Sequence, residues 1–213
     1  MKKSIYSITL LDDLVREIDK RAYLAGTTRS GLINKILAES LGLSTPESHR
    51  RSFFSEMARL MSRDETFLIN ETGSSLFAVK SSISFKYNPT VRYSVAISPE
   101  AREFFGELRV SLRTQNPLLL AELSRFFSIW QQLEDGIFSR RLSVSDGGKF
   151  TRRLLTPEGK PSPARLADAA SSYIRLLNGA ISIYFESTPD ISTATKRISS
   201  LYRDYLASNP EII

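Results

Sequence analysis

Residues 3–10 run Lys-Ser-Ile-Tyr-Ser-Ile-Thr-Leu, a strand pattern at the start of the chain with no second strand of similar length within hairpin distance. Period-two alternation places Tyr6, Ile8 and Leu10 on one face and Ile5, Ser7 and Thr9 on the other. One face is apolar and the other small and mostly polar. A lone strand cannot satisfy its own backbone N–H and C=O groups. The pattern therefore predicts a partner outside its own chain, the same strand of a second copy.

Two short helices are predicted next. Asp12 and Asp13 put carboxylates at the positive end of a helix dipole, and Leu14, Val15, Ile18, Ala22 and Leu24 form its apolar stripe. Gly26 stands where a helix commonly stops. Thr28 is a good N-cap for a second helix, from Arg29 to about Leu43, with Leu32, Ile33, Ile36, Leu37, Ser40 and Leu41 at helical spacing.

The stretch Ser7-Ile8-Thr9-Leu10-Leu11-Asp12-Asp13-Leu14, followed by Gly26-Thr27-Thr28-Arg29-Ser30-Gly31-Leu32-Ile33, resembles the ribbon-helix-helix family of bacterial, archaeal and phage repressors. The resemblance covers the first fifth of the chain. It implies an intertwined dimer whose paired N-terminal strands enter the DNA major groove, a known mode of β-ribbon reading. It also implies that Ile5, Ser7 and Thr9 touch base edges, that Tyr6, Ile8 and Leu10 face inward, and that Thr28, Arg29 and Ser30 hold a phosphate at the start of the second helix. Two positions depart from the pattern. Leu11 stands where members often have proline, and Gly31 replaces a common acidic residue at a helix-propensity cost of about 1 kcal/mol.

The outward face has its own chemistry. Ser and Thr hydroxyls bond to several bases or to phosphate, while Ile5 offers only apolar contact, suited to a thymine methyl. The ribbon lacks the Arg–guanine and Asn–adenine pairs that discriminate most strongly. Modest specificity per half-site is expected, with Lys2 and Lys3 as phosphate contacts. A short edge strand of one globular domain would also place Ser and Thr outside, but it would not account for the Gly26–Thr28 punctuation.

The 213 residues suggest one or two domains, and 41% hydrophobic content supplies a real core. No run of about eighteen apolar residues and no export signal is recognisable, so a cytoplasmic location is expected. With no cysteine, disulfides and thiolate metal sites are excluded, and a lone His49 argues against a nickel-sensing branch of the family. No cofactor is predicted. Of the net charge of +6, residues 1–50 hold +2 and residues 139–160 hold +4, while 51–138 and 161–213 are balanced.

Residues 44–52, Ser-Thr-Pro-Glu-Ser-His-Arg-Arg-Ser, read as a linker between a module at 1–43 and a domain at 53–213. Residues 53–61 have helical apolar spacing. Residues 66–113 read as an antiparallel meander with one wet face: a short strand at 67–70, a longer one at 75–87, a third carrying Val91, Tyr93, Val95 and Ile97, a turn at Ser98–Ala101, and a last one carrying Leu108, Val110 and Leu112. Helices are predicted at 117–138, from Ser162-Pro163 to Phe185, and at 191–206. The aromatic stripe of the first, with Phe126, Phe127 and Trp130, suits a core better than a ligand pocket. The fold class is α+β, an N-terminal ribbon-helix-helix module followed by a larger domain with an antiparallel sheet covered by helices.

Asp146-Gly147-Gly148 between β-formers predicts a hairpin whose arms bring Arg140, Arg141, Arg152 and Arg153 together, with Lys149 near the turn. Clustered like charges favour an anion between them: a second DNA-backbone contact, a phosphorylated ligand or an acidic partner. The alternative is a solvated loop with its charges splayed. Glu103 and Glu107, and the adjacent Asp64 and Glu65, have no accompanying nucleophile, base or metal ligand, so an enzyme is not expected.

The leading expectation is a sequence-specific DNA-binding regulator, a repressor that binds double-stranded DNA as a homodimer, its C-terminal domain oligomerising or binding a protein partner or small effector. The alternatives are a plasmid-partition or conjugation accessory protein, an antitoxin, or an interaction scaffold that uses the N-terminal module to dimerise.

Overall fold

The computed structural model describes residues 4–43, 45–73, 75–85, 88–98, 103–159, 161–209 and 213. The chain is mixed α+β, and it divides into two compact units, Met1–His49 and Arg50–Ile213.

In the first unit, α1 (Asp12–Leu24) opens with Asp12 and Asp13 in its first turn, and Gly26 follows it at φ +60°. α2 (Arg29–Ser40) is capped by Thr28, whose hydroxyl accepts from the Gly31 N–H at 3.1 Å. The core between them is small: Ile18, Ala22 and Leu32 are buried, with Ile33 packed against them. The expected stripes are only partly covered. Leu14, Leu24, Ile36, Leu37 and Leu41 are exposed. α2 also stops earlier than expected, because Gly42 takes φ +66° just beyond its end.

Residues 4–10, expected as a strand, join no sheet, as a strand without an intrachain partner cannot. The expected linker is also corrected, since α3 (Pro46–Met61) begins inside it. Thr45 and Ser48 cap each other across the first turn, the Ser48 N–H donating to Thr45 Oγ1 at 3.1 Å and the Thr45 N–H to Ser48 Oγ at 2.9 Å. Residues that look like a polar linker are a reciprocal cap with proline at the first helical position.

The second unit is built on a six-stranded antiparallel sheet: β1 (Leu68–Thr72), β2 (Leu76–Ser82), β3 (Thr90–Ile97), β4 (Phe104–Leu112), β5 (Ser143–Asp146) and β6 (Lys149–Leu155), in the order β1-β2-β3-β4-β6-β5. The strand expected to reach Tyr87 ends at Ser82, where Ile83 turns to hydrogen-bond Pro89; Tyr87 and most of the expected 98–101 turn lie outside the described residues. α4 (Pro117–Phe138), α5 (Pro163–Ser187) and α6 (Ile191–Ser208) are capped by Asn116, Ser162 and Asp190.

One face of the sheet and the helices share a single core, which takes Phe77, Val79, Val91, Tyr93, Val95, Leu108, Val110, Phe150 and Leu154 from the strands. Leu119, Leu123, Phe126, Phe127 and Trp130 of α4 are fully enclosed in it, so the aromatic stripe is packing. Phe127 stacks on Phe150 at 4.9 Å between ring centres. Each such buried ring is worth about 1.5–3 kcal/mol relative to exposure. The Trp130 indole N–H donates to Tyr173 Oη at 2.9 Å, and Tyr93 donates to Asn178 Oδ1 at 2.9 Å. The polar ends of Trp130 and Tyr93 are thereby satisfied, whereas the buried Tyr205 hydroxyl has no hydrogen-bond partner among the described residues.

Candidate nucleic-acid interface

The expected DNA-reading residues are accessible. Ile5 is completely exposed, Ser7 and Thr9 are exposed, and so are Tyr6 and Ile8 of the opposite face, at 83% and 62%. Leu10 is half-buried. Lys2 and Lys3 lie outside the described residues.

At the start of α2 the first backbone N–H groups point away from the helix, and no acidic side chain occupies its first turn. Thr28 spends its hydroxyl on the cap, and Ser30 is exposed beside it. Arg29 is held by Asp19 of α1, donating from Nε to Oδ1 at 2.6 Å and from Nη2 to Oδ2. That hydrogen bond keeps the Asp19 carboxyl below its ordinary range and raises the guanidinium. The expected phosphate contact is therefore also an intramodule tie between the two helices.

In the second unit the expected arginine cluster is corrected. The hairpin forms around Gly147 and Gly148, but strand alternation sends Arg152 and Arg153 to opposite faces. Arg152 is fully buried against Glu134 of α4, and Arg153 is exposed on the outer face. Arg140 pairs with Glu103 at 2.7 Å and Arg141 with Asp135 at 3.7 Å. Lys149 is exposed at the start of β6.

What the hairpin reading missed is the company Arg153 keeps. Arg92 of β3 and Arg109 of β4 alternate with buried neighbours and so share its outer face. Arg153 lies over the Phe104 ring, 5.3 Å from its centre, and Arg140 lies 5.6 Å from it. A shallow depression of about 310 Å³ opens among Ala96, Phe104, Gly106, Arg109 and Arg153. Its floor depends on Gly106, where a Cβ would come within 2.5 Å of the Ala96 carbonyl oxygen.

The carboxylates that could be asked to do chemistry are engaged separately. Glu103 pairs with Arg140, Glu107 with Arg109, and Asp64 with Arg175. Among the described residues no group of His, Cys, Asp and Glu is placed to hold a metal ion, and no helix is long and apolar enough to cross a membrane. No protein-family model matches the chain, and no curated protein or solved structure matches it either.

Proposed function

We propose that the chain is a sequence-specific DNA-binding regulator, acting as a repressor, that binds duplex DNA as a homodimer through residues 1–43. The observation that carries this reading is the unpaired segment before α1. It presents apolar Tyr6 and Ile8 to solvent, ahead of two helices that bury only Ile18, Ala22 and Leu32 between them. A second copy would cover that surface and supply the missing strand, leaving Ile5, Ser7 and Thr9 to read bases and the start of α2 to hold a phosphate. The C-terminal unit would then add contacts, copies or a partner.

Selection of the full chain against random-sequence duplex DNA tests the reading. One short inverted or direct repeat should be enriched, and Ser7→Ala with Thr9→Ala should abolish the preference. Enrichment of no sequence would remove the regulator reading and redirect attention to a protein partner of the C-terminal unit.

A further inference from the structure

The outer face of the sheet carries a band of cations that the packing of its own unit does not use. In register, Lys80 of β2 stands beside Arg92 of β3, Arg92 beside Ser111 of β4, and Ser111 beside Lys149 of β6. In the next row Arg109 lies between Ser94 and Thr151, and in the one after it Arg153 lies beside Glu107. With strands about 4.8 Å apart, the first row spans about 14 Å. Like charges placed directly across a sheet weaken it, and Lys80 against Arg92 is such a pair.

Compensation is incomplete. Glu71 takes Arg92 at 2.7 Å and Glu107 takes Arg109 at 2.5 Å. Lys80, Lys149 and Arg153 form no ion pair among the described residues, although Asp146 stands opposite Lys149 and Glu107 opposite Arg153 in the register. Between the cations lie the hydroxyls of Ser111 and Thr151, while the Ser94 hydroxyl donates to the Arg109 carbonyl oxygen at 3.3 Å.

We propose that this face holds the phosphodiester backbone of duplex DNA without regard to base sequence. Spaced cations and hydroxyls match phosphate oxygens. A single strand would want a succession of exposed rings to stack on, whereas Phe104 is half-buried and already lies against two guanidinium groups. The choice of a duplex rests on the ribbon reading above. Once the N-terminal module is seated, a second weak backbone site on the same chain acts at high effective concentration.

The affinity of the full chain for random-sequence duplex DNA, followed against salt, tests the proposal. Each lost phosphate contact should reduce the log–log salt slope by about 0.9. Lys80→Gln with Lys149→Gln and Arg153→Gln should therefore flatten it by roughly 2–3 for each subunit seated on the DNA, with the selected sequence unchanged. Glu107→Gln, which releases Arg109, should steepen it by about one for each subunit seated on the DNA, and this gain decides the matter should the triple variant misfold. Unaltered slopes overturn the proposal, as does displacement by single-stranded DNA or polyglutamate at the same charge concentration as duplex. Failure of the ribbon reading looks different: no sequence preference, or one that survives Ser7→Ala with Thr9→Ala.

Discussion

Arg152 donates from Nε to Glu134 Oε1 at 2.8 Å, with both side chains sealed from solvent. Tyr173 and Tyr202 donate to the same oxygen at 2.8 and 3.2 Å, and the guanidinium lies 4.3 Å from the centre of the Tyr173 ring. One ion pair thus joins α4, α5, α6 and β6. Glu134 Oε2 and Arg152 Nη2 nevertheless have no hydrogen-bond partner among the described residues. Removing either residue alone strands a buried charge, at about 3–5 kcal/mol. Glu134→Leu together with Arg152→Met should recover most of that loss. Urea unfolding of the two single variants and the double, read as a mutant cycle, checks this; equal losses in all three would contradict it.

The first unit buries too little to stand by itself. A folded monomer of this size is marginal, so its stability should depend on association. The helical signal of residues 1–49 should melt at a midpoint that rises with protein concentration. Ile8→Lys, which places a charge on the exposed apolar face, should remove that dependence and DNA binding together. Circular dichroism across a hundredfold concentration range, with sedimentation equilibrium alongside, reads both.

Asp19 restrains Arg29. Asp19→Asn should loosen the guanidinium and let it approach a phosphate, steepening the salt slope by up to about one for each subunit on the DNA. Fluorescence anisotropy on a labelled duplex measures the change, and an unchanged or flatter slope would mean that the tie itself positions Arg29.

Asp64 supplies a pH dependence. Burial alone would raise its carboxyl, but hydrogen bonds from Thr66 and the Arg175 guanidinium outweigh burial and hold it below its ordinary value of 3.8. A depressed folded-state pKa stabilises at pH above the unfolded value and loses that contribution as pH falls through the folded one. Asp64→Asn should therefore lower Tm at pH 6, and the gap to the parent should close below about pH 4. A gap that stays constant with pH would show that the ionised carboxylate contributes nothing.

Caps made the helices legible. Asn116 before Pro117, Ser162 before Pro163 and Asp190 before Ile191 each start a helix close to where local chemistry places the start. The same chemistry at Thr45-Pro46 was hidden by the polar residues that follow it. Arg152 looked like a surface charge because its partner Glu134 lies eighteen residues away on a helix, and nothing local marks a carboxylate as buried. The cation band was invisible for a related reason. Lys80, Arg92, Arg109, Lys149 and Arg153 are scattered along the chain, and only strand register gathers them onto one face.

The order Lys149-Phe150-Thr151-Arg152-Arg153-Leu154-Leu155 has an unexpected weakness against misthreading. A slip of β6 by one residue would exchange one arginine for another beside Glu134 and one leucine for another in the core. Neither exchange would be opposed by charge or hydropathy. A third exchange would matter: Thr151 would take the place of Phe150 against the Phe127 ring, and Phe150 and Leu154 would turn to the outer face. The stacked pair of phenylalanines therefore acts as a proofreader of this strand beside the Gly147-Gly148 turn that joins it to β5, and Phe150→Thr would narrow the gap between the two threadings.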